Sequence, residues 1–159
     1  MVEVILMCGP AGSGKSTVAR RLEAEGRARL SFDELAWDRG HREHPLPSPV
    51  AEEIRALLRR RLVELVAAGR DVVVDSSFWS RASRDEYRDL LAPLGVEPVT
   101  CHVDTPRDVA LHRVASREHS GPHDIPLPAD LAAAYVDGLE RPTAAEGPLR
   151  VVDGTKAAG

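Results

Sequence analysis

The sequence predicts an α/β protein built as a doubly wound parallel sheet in a single domain, and three observations carry that prediction. A glycine-rich run, Gly9-Pro10-Ala11-Gly12-Ser13-Gly14-Lys15-Ser16-Thr17, stands between an apolar stretch of strand length and a helical pattern. Apolar and β-branched runs then alternate with helix-period segments to the end of the chain. Acids stand at or just past the ends of two of those runs, Asp33 and Asp75.

The run Gly9 to Thr17 fits G-x-x-x-x-G-K-[ST] at every fixed position, the phosphate-binding P-loop. Its glycines let successive backbone N–H groups of Ala11, Gly12, Ser13 and Gly14 turn toward the phosphates of a nucleotide. Lys15 can reach the β- and γ-phosphates, and the Ser16 hydroxyl can ligate magnesium. The apolar run Val2 to Cys8 precedes it, and Val18, Ala19 and Leu22 recur at helical spacing behind it, up to Gly26. A helix starting there adds its positive end to the amides of the loop.

At 159 residues the chain reads as one domain, 1–159, long enough for a sizeable core. A net charge of −4 weighs against a large nucleic-acid footprint, and an aromatic content of 4% leaves little for base-stacking platforms. Cys8 and Cys101 both fall in apolar runs and read as reduced core thiols. The sequence shows no leader and no apolar run of membrane-spanning length, so it is read as cytoplasmic and off the membrane.

In chain order, Ala28 to Ser31 reads as a second strand that delivers Phe32 and Asp33 to the carboxyl end of the sheet, where ligands of open α/β sheets gather. Ala36 to Pro49, with three prolines and no periodicity, reads as a loop, and His41 and His44 in it as surface histidines. Ser48-Pro49 reads as N-cap and first position of a helix carrying Ile54, Leu58, Leu62 and Leu65 and ending at Gly69. Arg59-Arg60-Arg61 within it reads as a solvated face, with an acceptor-phosphate patch as the alternative. Asp71 to Asp75 is a buried central strand ending in an acid, a Walker-B-like arrangement that puts Asp75 beside magnesium or its waters. Ser83 to Leu94 is the next helix, with Tyr87, Leu90 and Leu91 inward, and Val96 to Asp104 the next strand. Thr105-Pro106-Arg107-Asp108 reads as a helix start with threonine as N-cap. Arg113 and Arg117 share one face of that helix; they can clamp transferring phosphates or pair as surface arginines with Asp108 and Glu118. The turn-rich Ser120 to Pro126, with His119 and His123 read as solvent-exposed, suits a lid, about 113–127. Ala129 to Leu139 is a last helix, Leu149 to Asp153 a last strand, and Asp153-Gly154-Thr155 a turn near the nucleotide's base.

On these residues the chain resembles the small P-loop kinases that include polynucleotide 5′-hydroxyl kinases, zeta toxins and chloramphenicol phosphotransferase. The resemblance runs over Gly9 to Thr17, Asp33, Asp75, Asp104-Thr105-Pro106 with Arg113 and Arg117, and Ile125-Pro126. It implies that Asp33 is the general base on the acceptor hydroxyl and that Arg117 is a lid arginine on the donor phosphates, with Arg113 beside it. Polynucleotide kinases carry an arginine three residues past the base; this chain has Ala36 there. The expected function is therefore ATP- and magnesium-dependent transfer of a phosphoryl group to a hydroxyl of a small molecule, such as a nucleoside, sugar or antibiotic. Trp37, Phe78 and Trp79 are candidates to line the acceptor pocket. A polynucleotide 5′-kinase and a nucleotide-operated ATPase or switch are the alternatives. ATP versus GTP, the acceptor's identity and the oligomeric state are open at this level.

Overall fold

The first strand sorts its side chains by parity. β1 (Val4–Cys8) is buried along its whole length: Val4, Leu6 and Cys8 join one core, while Ile5 and Met7 join the other. A run that is apolar at every position is what a parallel strand covered on both faces requires. The computed structural model describes residues 2–41, 46–116 and 127–157. Its sheet has five parallel strands in the order β2-β3-β1-β4-β5, with β2 (Ala28–Ser31), β3 (Val72–Asp75), β4 (Val99–Asp104) and β5 (Leu149–Asp153). The register pairs Ile5 with Val73 and Val99, and Ser31 with Asp75, so the ends of β2 and β3 come level.

Helix α1 (Lys15–Ala24) covers one face with Val18, Ala19 and Leu22, packed on Ile5, Met7, Val73, Cys101 and Val103. The other face carries α2 (Phe32–Asp38), α3 (Ser48–Ala67) and α4 (Arg81–Leu91), which bury Leu35, Ile54, Leu58, Leu62, Tyr87 and Leu91 against Leu6, Val72 and Val74. Each fully buried aliphatic side chain contributes roughly 1.5–3 kcal/mol, so the two cores are the main source of stability. A smaller cluster joins α5 (Arg107–Ser116) to α6 (Ala129–Asp137): Val114, Leu127 and Ala132 close over Ala11 of the glycine-rich loop. The chain winds outward from β1 to β2, returns to β3, then crosses β1 to β4. The crevice at the carboxyl ends of β3, β1 and β4 is thus a topological switch point, and the loop after β1 opens into it.

Several elements differ from the expected ones. Residues 36–38 are helical: α2 starts directly after β2, with the Ser31 hydroxyl accepting from Glu34 N at 3.2 Å, and seven residues are too few for a period to show. Helix α3 begins at Ser48 itself with Pro47 at the cap and no side-chain capping bond. The segment predicted as one helix to Leu94 is α4 followed by a 3₁₀ turn, Ala92–Leu94, and β4 starts only at Val99. Behind β5, in place of a turn, comes the short helix α7 (Gly154–Ala157), because Asp153 Oδ1 accepts from Thr155 N at 2.9 Å and from its hydroxyl at 2.6 Å. Among the described residues no helix is long and apolar enough to cross a membrane.

Candidate active site

The loop between β1 and α1 is shaped by contacts that draw its carbonyls outward. Thr105 Oγ donates to Ser13 O at 2.6 Å, and an Arg113 guanidinium N–H donates to Gly12 O at 3.2 Å. The threonine read as a helix cap therefore spends its hydroxyl on the loop, and α5 starts only at Arg107. Gly12, at φ +83°, lies against the Ala110 carbonyl of α5, where a Cβ would collide with it. A glycine is required there by both backbone conformation and space. Gly9 N donates to Ser77 O at 3.1 Å, tying the loop's entry to the segment after β3. Gly14 is the N-cap of α1 and supplies no side-chain cap, so the first-turn amides of α1 point into the crevice without an intrahelical partner.

Three predicted residues meet at this crevice. Lys15 Nζ stands 3.8 Å from Asp75 Oδ1, and Asp75 is only 4% exposed. The second carboxylate oxygen of Asp75 accepts from Arg29 at 3.4 Å. Oδ1 has no hydrogen-bond partner among the described residues, and neither has the buried Ser13 hydroxyl. A buried, orphaned carboxylate oxygen beside the loop lysine fits a magnesium ion or one of its waters, which take oxygen ligands. Asp33 in the first turn of α2 lines the same cavity as Lys15 and Asp75. Its carboxylate lies close enough to Tyr135 on α6 to help raise the phenol's pKa, after the larger effect of burial.

The cavity measures about 590 Å³, the size of pockets that hold small molecules, and runs from the loop to Arg55 and Arg59 on α3. Phe78 and Trp79 line it as expected; Trp37 is not among its walls. Ala36 is fully buried in the core and is not among the walls of the cavity. Arg60 and Arg61 are exposed, while Arg59 pairs with Glu86 at 2.6 Å and with Glu52 at 3.3 Å. Arg117, His44, His119, His123 and most of the expected lid lie outside the described residues; Arg113 is on α5, bonded to the loop. Ser16 and Thr17 occupy the first turn of α1.

Two residues that position the site escaped the sequence reading. Arg29 on β2 carries a nearly buried side chain and joins Asp75, Glu23 and Glu34, holding the carboxylate that faces Lys15. Arg84 on α4 is wholly buried. It donates to Phe78 O at 2.7 Å and Glu140 O at 2.9 Å, and its Nε reaches Glu146 Oε1 at 2.6 Å. Phe78 has φ +42°, a conformation that costs a side-chain-bearing residue about 1–3 kcal/mol. The Arg84 bond, a Cys8 thiol bond of 3.4 Å to the same carbonyl, and an edge-on contact with Tyr87 hold it there. A signal existed: Arg84, Tyr87 and Leu91 lie at i, i+3 and i+7, so the helix turns Arg84 toward the core with them. Burial pushes the Cys8 thiol up to about 11, against the opposing pull of Arg84, so it stays protonated; burial raises Cys101 as well.

Comparison with solved structures finds the same fold widely. A sugar kinase from Janibacter sp. HTCC2649, in an unliganded structure, is 22% identical with a TM-score of 0.71, over 98% of this chain and 87% of that one. A gluconokinase from Sinorhizobium meliloti 1021 is 26% identical with a TM-score of 0.63, over 95% of this chain and 82% of that one. A chain of the Pnkp1/Rnl/Hen1 RNA repair complex is 22% identical with a TM-score of 0.74; 87% of this chain aligns, spanning 44% of that larger one. At these identities the likeness is one of fold. No curated protein matches by sequence. The model of the AAA domain family, however, matches residues 4–142, from β1 to just past α6, and the chain belongs to that family.

Proposed function

We propose that the protein is a phosphotransferase that moves the γ-phosphate of ATP, with magnesium, to a hydroxyl of a small molecule. The observation that carries this reading is that Lys15, Asp75 and Asp33 open onto one cavity with room for an acceptor beyond the phosphate loop. That a sugar kinase and a gluconokinase share the fold agrees with it. ATP with its magnesium ion supplies an activated phosphoryl group. The amides of Ala11 to Thr17 and the Lys15 ammonium bind its phosphates, while Ser16, with Asp75 in an outer shell, would hold the metal. Asp33 accepts the hydroxyl proton as the acceptor oxygen bonds to phosphorus and the bond to ADP breaks. Arg113 steadies the loop through Gly12, and Arg117 is assigned to charge on the transferring group. Most of the catalysis is positioning and electrostatics, so Lys15→Met should lower transfer by at least about 100-fold.

The test is transfer from γ-labelled ATP with magnesium to a 5′-hydroxyl oligonucleotide in one tube and to a pool of nucleosides, sugars and other alcohols in another. Label in the small-molecule pool is the expected result. Label on the oligonucleotide would make the protein a polynucleotide 5′-kinase, the reading that the likeness to the RNA repair complex favours. Release of labelled phosphate with no labelled acceptor would make it an ATPase.

A further inference from the structure

The chain has two tryptophans, two tyrosines and two phenylalanines, and all of them except Trp37 line the cavity beside the loop. Phe78 and Tyr87 are buried in its wall, 4.8 Å apart and edge to face. Trp79 and Tyr135 are different: they are 52% and 40% exposed, and their apolar surface opens onto the cavity. Aromatic side chains this scarce, gathered on one concave surface and left partly in water, are suited to a ligand that covers them. Among the described residues, the arginines of the same walls already have carboxylate partners. Arg55 pairs with Glu52 at 3.1 Å, and Arg59 with Glu86 at 2.6 Å, so an anionic acceptor would share each arginine with a carboxylate.

We propose that the acceptor is an uncharged hydroxyl compound with a planar aromatic body, which stacks on Trp79 and Tyr135 while its hydroxyl is turned to Asp33. The inference rests on the phosphotransferase reading and narrows its acceptor to a class. To a sugar acid or a nucleic-acid end, the described walls beyond the loop offer only arginines that already have carboxylate partners.

The experiment has a binding arm and a transfer arm. In the Trp37→Phe variant Trp79 is the sole tryptophan, and its fluorescence is titrated, with magnesium and a non-hydrolysable ATP analogue present, against 3-phenyl-1,2-propanediol, glycerol, gluconate and a 5′-hydroxyl oligonucleotide. Transfer from γ-labelled ATP is measured with the same four. The phenyl diol should quench Trp79 and take label at lower concentration than the other three. Trp79→Ala and Tyr135→Ala should each raise its KM about tenfold and leave the KM for ATP within about twofold. Label on gluconate or the oligonucleotide in preference to the diol would overturn the aromatic acceptor and keep the kinase. Equal use of glycerol, or a diol KM untouched by both substitutions, would overturn it too. Release of phosphate alone would overturn both readings, and quenching by the diol without transfer would leave an aromatic site that is not an acceptor site, which also overturns the proposal.

Discussion

At position 84 a guanidinium with no exposure to water joins a strained turn, a backbone carbonyl and a carboxylate, and the energetics of that carboxylate make the arrangement testable. Burial opposes the charge on Glu146, but hydrogen bonds from Arg84 and Arg88 outweigh it and hold the carboxyl at about 2, against an ordinary 4.5. A folded-state pKa below the unfolded one stabilises the protein above the unfolded value and ceases to do so as pH falls. The contribution of Glu146 is therefore complete above pH 4.5 and disappears on the way down to about 2. Urea denaturation across that range should show the loss, and Glu146→Gln should flatten it. Arg84→Met leaves Glu146 buried with one arginine fewer and should cost about 3–5 kcal/mol at neutral pH. The double variant should cost less than the two single changes added together, because they remove one interaction. The residues proposed for catalysis were easier to read than these supports. Lys15 and Ser16 are fixed by a contiguous motif, and Asp75 by its place at the end of a β-branched run. The partner of Arg84 lies 62 residues away, and no local pattern names it.

Among the elements, the β1–loop–α1 unit was legible as strand, glycine turn and helix, since these follow one another without interruption, although α1 already starts at Lys15, inside the motif. The central strands β1 and β3 were legible because a parallel sheet covered on both sides demands apolar residues at every position, as Val72-Val73-Val74 supplies. The short helices α2 and α7 were not, since each depends on one capping side chain, Ser31 or Asp153. Nor was the seam between β5 and the loop. There Gly154 packs against the Thr105 hydroxyl and the Ser13 carbonyl so closely that a Cβ would overlap both. Gly154→Ala should push α7 away from the loop, lower the melting temperature and weaken nucleotide binding, measured with a fluorescent ATP analogue. Thr105→Val removes the bond to Ser13 O and should cost about 1 kcal/mol of stability. If both variants bind the analogue as the parent does, the back of the loop is not coupled to nucleotide affinity.

For the whole molecule, the topology and the family were readable from the alternation of elements and the loop motif, whereas the acceptor was not. Its cavity is assembled from α2, α3, α6 and the segment after β3, which come together only in the fold. A nucleotide that binds the folded chain and not the unfolded one must stabilise it, by about 2.7 kcal/mol at a ligand concentration 100 times the Kd. Thermal unfolding should therefore shift upward with ATP and magnesium, and the shift should vanish in Lys15→Met. The central claim is that Asp33 acts on the acceptor and not on the nucleotide. The most direct test measures two properties of Asp33→Ala side by side: affinity for the fluorescent ATP analogue, and phosphoryl transfer to the accepted alcohol. The account predicts unchanged affinity with transfer reduced about 100- to 10,000-fold, the range of a lost general base. Transfer at the parental rate, or loss of nucleotide binding together with transfer, would contradict it.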